Sequence, residues 1–248
     1  KMGLYTSGEK RIRENDKVKI KGMIGASFLD WDGKIVTTLF VPGCNFRCKY
    51  CQNWELIEHP ENFEEIDFER IKKFLLSHKD FIDGVCITGG EPTIYEDLPG
   101  FIKRIKELGF LVKLDTNGSK PGMIKKLIDE KLVDYVAMDM KAPFKKYDIT
   151  CGVKVDVEDI KRSMDIIMNS KTEYEFRTTA VPGITDESDI ESIAASVKGA
   201  KKYVLQQFIP KNAMDEKLRN VTPYEKDMFE KMMEKAKKYV KNIKMRGV

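Results

Sequence analysis

Apolar positions along the chain change period several times and divide it into short alternating elements. Residues 23–28 read as a strand, and residues 30–33, Asp-Trp-Asp-Gly, as a hairpin turn. Residues 34–41 are β-branched and apolar, as in a buried strand. Helical spacing follows at Phe68, Ile71, Phe74 and Leu75. The alternation then repeats. Strands are predicted at residues 84–88, 110–114, 135–140, 174–181 and 203–209. Between them lie helical faces carrying Phe101, Ile102, Ile105 and Leu108, then Met123, Ile124, Leu127 and Ile128, then Ile160, Met164 and Ile167. Gly109 stops the first of these, and Asp186 caps a further helix carrying Ile190, Ile193, Ala194 and Val197. Thr222, Pro223, Tyr224 and Glu225 read as a capping box that opens the last helix.

Strands alternating with helices imply a parallel sheet joined by right-handed crossovers. Six such units are too few to close an eight-stranded barrel, so the expected fold is α/β, an open partial (β/α)6 barrel. Residues 1–22 are polar and without a clear period, and are expected to form an N-terminal extension to a single domain over residues 23–248.

Composition narrows the function classes. The chain of 248 residues carries 44 basic and 40 acidic side chains, a net charge of +4 that does not call for a nucleic-acid partner. No apolar run nears the roughly 18 residues of a spanning helix, and no apolar leader precedes the first strand, so no membrane association and a cytoplasmic location are expected. Charged residues make up 34% of the chain, mostly Lys and Glu, which leans toward a heat-adapted source. Five cysteines is an odd number, and three of them fall within eight residues, which suits a metal or cluster site better than a disulfide framework.

Those three are Cys44, Cys48 and Cys51, with spacing C-x3-C-x2-C. Thiolates are soft ligands for iron–sulfur clusters and zinc. A self-sufficient [4Fe–4S] cluster takes four cysteines, so three would leave one iron open to a substrate or cofactor. Two alternatives stand beside this: zinc completed by His59 or His78, and a four-cysteine cluster completed by Cys86 or Cys151.

The other chemically loaded residues fall at the ends of the predicted strands. Gly89, Gly90, Glu91 and Pro92 follow the second barrel strand, and Asp115 and Thr116 end the third. Asp139 and Lys141 end the fourth, Arg177 lies on the fifth, and Gln206 and Gln207 on the sixth. In parallel barrels, sites are built at the C-terminal ends of the strands. All of these residues would share one rim with the cysteine loop.

Cysteine spacing and context resemble the radical SAM superfamily. The stretches Cys51-Gln52-Asn53, Leu114-Asp115-Thr116-Asn117-Gly118, Met138-Asp139-Met140-Lys141 and Arg177 to Gly183 narrow the resemblance to the glycyl radical enzyme activases. That group includes the activases of pyruvate formate-lyase and of anaerobic ribonucleotide reductase. The resemblance implies that Cys44, Cys48 and Cys51 ligate a [4Fe–4S] cluster whose fourth iron is chelated by the amino and carboxylate groups of S-adenosylmethionine (SAM). Tyr50 would lie against the adenine. Gly89, Gly90, Glu91 and Pro92 would line the methionine portion, with backbone N–H groups suited to its carboxylate. Asn53, Asp139, Lys141 and Arg177 would contact SAM. Asp115, Thr116, Ala137 through its carbonyl, and Asp139 would hold a monovalent cation, Na+ or K+. The implied activity is reductive cleavage of SAM to a 5′-deoxyadenosyl radical, which takes hydrogen from a glycine of a partner glycyl radical enzyme. A flavodoxin or ferredoxin would supply the electron. A radical SAM enzyme acting on a small molecule or nucleoside, such as a 7-carboxy-7-deazaguanine synthase, is the main alternative, and a non-catalytic electron carrier a further one. Gln52 stands where many activases carry His, and no His occurs on the sixth strand.

Overall fold

The computed structural model describes residues 17–248. Its centre is one sheet of eight strands in chain order: β1 (Gly22–Ser27), β2 (Val36–Val41), β3 (Gly84–Gly89), β4 (Leu111–Thr116), β5 (Tyr135–Asp139), β6 (Glu173–Ala180), β7 (Tyr203–Gln207) and β8 (Ile243–Arg246). β1 and β2 form the predicted antiparallel hairpin, and every later pairing is parallel. Strand order equal to chain order is what successive same-handed crossovers generate. The outer strands β1 and β8 are not paired with each other, so the sheet stays open as expected.

The crossovers carry α1 (Trp54–Glu58), α2 (Phe68–Ser77), α3 (Leu98–Glu107), α4 (Pro121–Asp129), α5 (Tyr147–Cys151), α6 (Val157–Met168), α7 (Glu187–Ser196) and α8 (Lys226–Ala236). Each long helix buries the stripe its periodicity predicts, such as Ile71 and Leu75 of α2 and Ile160, Met164 and Ile167 of α6. Asp186 caps α7 in a reciprocal capping box with Asp189.

The strands alternate with period two. Outward residues such as Val85, Ile87, Val112, Leu114, Val136 and Met138 are fully buried under the helices. The inward face is charged: Lys113, Asp115, Tyr135, Asp139, Glu175 and Arg177 meet inside the barrel. The core is thus a shell of apolar side chains between sheet and helices, wrapped around a polar interior.

Three expectations change. An additional strand, β8, extends the sheet beyond the six predicted barrel strands, pairing Tyr203 with Ile243 and Gln206 with Arg246. The capping box at Thr222 does not form. α8 starts at Lys226 with no side-chain cap, because Tyr224 is held elsewhere: its hydroxyl donates to the Thr185 carbonyl and its own carbonyl accepts from Gln207. Finally, the end of the expected extension belongs to the core. Ile20 is buried, and its carbonyl accepts the Ile66 N–H. Residues 1–16 of that extension lie outside the described residues.

The open side is bridged at both ends. At the N-terminal end of the strands, the 30–33 turn swings beneath the barrel. Trp31 packs on Tyr135 at 5.5 Å, and Asp32 reaches Lys202 at 2.7 Å and Arg246 at 3.2 Å. At the C-terminal end, the segment after β7 lies on the cysteine loop. Met214 N–H donates to the Cys51 carbonyl at 3.0 Å and Asp215 N–H to that of Lys49 at 2.8 Å.

Candidate active site

β2 delivers the chain into the cysteine loop through Val41, Pro42 and Gly43, and the loop is locked to the turn after β3. The Gly90 N–H donates to the Val41 carbonyl at 2.8 Å, and the Glu91 N–H to the Gly43 carbonyl at 2.9 Å. Asn53 closes the unit from the far side, donating from Nδ2 to the Gly89 carbonyl at 2.8 Å. The turn cannot carry side chains. A Cβ on Gly90 would sit 1.7 Å from the Gly43 oxygen, and Gly89 has φ of +111° with the Val41 oxygen 2.5 Å from its Cβ position. These bonds correct one expectation. The N–H groups of Gly90 and Glu91 are spent on the cysteine loop, so they are not offered to a carboxylate.

Donors gather on the cysteine sulfurs. Cys44 Sγ receives the Phe46 N–H at 3.3 Å and lies 3.8 Å from Asn117 Nδ2. Burial and the nearby Glu91 push the Cys44 thiol up to about 12. Cys48 is held at about 7 because the Cys151 thiol donates to it, against the opposing effect of burial. The thiolate is the ligating form, and donation from Cys151 favours it at Cys48. Cys151 is fixed there by backbone: its carbonyl accepts the Arg47 N–H at 2.7 Å. Of the alternative ligands, Cys86 lies in the cluster with Trp31 and Val36 beneath the barrel. His59 pairs with Glu61, and His78 stacks on Phe74. Three soft donors on one loop, each partly or fully buried, suit an iron–sulfur cluster.

Glu91 is nearly inaccessible, and four neutral groups donate to it: the Thr93 N–H at 3.1 Å and hydroxyl at 2.5 Å, the Thr116 hydroxyl at 2.8 Å, and the Asn117 N–H at 2.6 Å. Burial raises its pKa in spite of them. Glu91 therefore ties the β3 turn to the end of β4 and acts as a brace under the rim.

A charged group occupies the centre. Arg177 donates through Nε to Asp139 Oδ1 at 2.8 Å and through Nη1 to Asp115 Oδ2 at 2.9 Å. Lys113 holds Asp115 Oδ1 at 2.7 Å, and Lys141 holds Asp139 Oδ2 at 2.9 Å. Burial would raise both carboxyl pKa values, and the cations more than offset it. Asp115 and Asp139 both lie below the usual carboxylate range. The same pairs keep Lys141 and Arg177 charged despite burial.

The predicted rim is therefore assembled: Asn53, the Gly89 turn, Thr116, Asp139, Lys141 and Arg177 converge around the cysteine loop. Tyr50 is buried beneath that loop, within electrostatic reach of Lys141 and Cys48. Ala137 stays in the ladder of β5, in register with Asp115 and Glu175. Gln207 holds Tyr224 and the Phe208 N–H, and Gln52 holds the Ile209 carbonyl, so both are bound by their own chain. Sequence reasoning missed Lys113, Asn117 and the placement of Cys151. A lysine between Val112 and Leu114 in an apolar strand is the one signal that pointed inward.

Comparisons with known proteins give the family. Residues 38–196 match the family model described as the Radical SAM superfamily. A Methanocaldococcus jannaschii protein, provisionally named a glycyl-radical enzyme activating enzyme, is 37% identical over 94% of this chain and 97% of its own. The pyruvate formate-lyase-activating enzyme of Clostridium pasteurianum is 27% identical, covering 84% of this chain and 91% of its own. Among solved structures, Streptococcus suis SuiB superposes with a TM-score of 0.61 at 15% identity, over 83% of this chain and 47% of that one, a likeness of fold. The cofactors of this family are a [4Fe–4S] cluster and SAM. The chain belongs to the radical SAM superfamily and aligns along nearly its whole length with proteins named as glycyl-radical enzyme activating enzymes.

Proposed function

We propose that this radical SAM enzyme activates a glycyl radical enzyme by removing a hydrogen atom from the α-carbon of a glycine in the partner's backbone. The observation that carries the reading is the alignment over 94% of the chain with a protein bearing an activating-enzyme name. By contrast, 35% identity with the 7-carboxy-7-deazaguanine synthase of Methanopyrus kandleri covers only 41% of this chain.

The cofactors supply the hard chemistry: one-electron cleavage of SAM to methionine and a 5′-deoxyadenosyl radical. The chain's own residues bind and orient. Cys44, Cys48 and Cys51 hold the cluster. The N–H groups of Gly90 and Glu91 are engaged, so the turn would meet the ammonium group of SAM through its carbonyl oxygens. Lys141 and Arg177 suit a carboxylate, and Tyr50 supplies an aromatic wall under the loop. The segment after β7, seated on the loop, excludes water at the open side. A flavodoxin or ferredoxin is the proposed electron donor.

The test is anaerobic. The reconstituted, reduced protein is mixed with SAM and candidate glycyl radical enzymes. 5′-Deoxyadenosine and a glycyl signal in electron paramagnetic resonance are the expected products. Deoxyadenosine without a glycyl radical on any candidate would favour small-molecule chemistry. No deoxyadenosine at all would favour a plain electron carrier.

A further inference from the structure

The family resemblance expects a monovalent cation among Asp115, Thr116, the Ala137 carbonyl and Asp139, and this chain's residues do not fit one. Each of the four carboxylate oxygens of Asp115 and Asp139 already accepts a cationic N–H: from Lys113 and Arg177 on Asp115, and from Arg177 and Lys141 on Asp139. The Thr116 hydroxyl donates to Glu91 and accepts the Gly118 N–H at 3.1 Å. An alkali ion would have to displace a charge-assisted hydrogen bond and would enter a group that already has one more cation than anions.

We propose that the ammonium of Lys113 is a built-in replacement for the monovalent cation, so that the SAM carboxylate is received by protein charges alone. Lys113 is 1% exposed and projects from β4 into the barrel, where Asp115 is the one carboxylate among the described residues within ion-pairing distance of its Nζ. It pairs with Asp115 and leaves the Asp139–Lys141 pair, which is 25% and 19% exposed, within electrostatic reach of Cys48 on the cysteine loop. A fixed ammonium holds Asp115 where Arg177 can bridge both carboxylates. Lys113 is thus a positioning residue that acts through Asp115 and Arg177. An incoming carboxylate would make this group of charges neutral. The proposal rests on the reading that SAM binds at this rim.

Two measurements separate the proposal from that reading. Melting temperature of the ligand-free protein and SAM affinity of the anaerobically reconstituted protein are each compared in potassium, sodium and tetramethylammonium chloride at equal ionic strength. Tetramethylammonium is too bulky and has no N–H, so it cannot take an alkali site. Wild-type protein is expected to show the same melt in all three salts and SAM affinities within about twofold. Lys113→Met is expected to melt lower in tetramethylammonium, to regain roughly 4 °C in potassium or sodium, and to bind SAM about tenfold more tightly with the alkali ion present. A merely structural lysine would give a destabilised variant indifferent to the salt. Salt-dependent melting of the wild type, or a Lys113→Met melt unmoved by alkali ions, overturns the proposal. Should Lys113→Met fail to fold, Lys113→Arg keeps the charge, and its melt must stay alkali-independent. Failure of wild type to bind SAM in any salt sinks the SAM reading, and the melts still decide the cation question.

Discussion

At the N-terminal end of the strands, Glu175 is gripped by Arg246 at 2.9 Å, Lys202 at 2.8 Å and the Tyr135 hydroxyl at 3.0 Å. At the C-terminal end of the same strands, Asp115 and Asp139 are gripped by Lys113, Arg177 and Lys141. Both groups are polar fillings of one barrel, and in each the strand-borne carboxylates are held by one cation more than their own number. They differ in what completes them. Below, the hairpin turn brings in Asp32, which Lys202, Arg246 and the exposed Lys244 all hold, and Trp31 as an apolar cover. Above, among the described residues, no further carboxylate pairs with the cations. An aspartate from the hairpin covers the lower group, and the upper group has no such cover, which supports the proposal that a ligand carboxylate is received there.

That contrast can be broken at several points. The largest effect is expected at the upper rim from Gly90→Ala, whose methyl group would collide with the Gly43 carbonyl. The cysteine loop must then shift, and iron content after anaerobic reconstitution should fall to background; normal loading would show that loop and turn are not one unit. Arg177→Met removes the bridge between two carboxylates that each keep one lysine, at a cost of about 2 kcal/mol in denaturant unfolding, with SAM binding lost. A stability loss without an effect on SAM would move Arg177 out of the site.

Acid should undo both ends. Burial alone would raise the Glu175 carboxyl, but Arg246, Arg177 and Lys202 outweigh it and hold it at about 2. Its folded pKa is below its unfolded one, so its stabilisation is complete above about pH 5 and lost as pH falls toward 2, on the order of 3 kcal/mol. Asp115 and Asp139 are depressed too and lose their contribution in the same direction. Denaturant midpoints measured from pH 6 down to pH 3 should therefore drop steeply; a flat profile would mean the interior pairs are not ionised. The smallest effect belongs below. Asp32 is 39% exposed, so Asp32→Asn should cost roughly 1 kcal/mol and leave SAM affinity unchanged. A change in SAM affinity would mean the two ends are coupled.

Strand–helix alternation made the barrel legible because period two and period 3.6 are strong local signals. The rim was legible because its residues sit at strand ends, next to glycine turns. β8 was not, because four residues with Lys244 and Arg246 alternating against Ile243 and Met245 resemble a charged tail until a neighbouring strand is present. Lys113 was missed for a related reason. A lysine in a strand is ordinarily solvated, and only the register of β4 within the sheet reveals that this one faces Asp115 and Arg177 inside the barrel. The roles of backbone groups were hidden too: nothing in Gly89 and Gly90 as letters says that their N–H groups or their carbonyls are free.

The contact between Gly43 and Gly90 has a consequence for engineering. The carbonyl of one glycine occupies the space where the other would carry a side chain, and the same carbonyl takes the next N–H of the turn. Gly90 has no room for a side chain, and Gly43 is held at a φ of +70° that side chains rarely adopt. Grafting the three-cysteine motif onto another scaffold would therefore fail unless the β3 turn came with it, because the portable unit is a pair of interlocked backbones and the cysteines are its passengers.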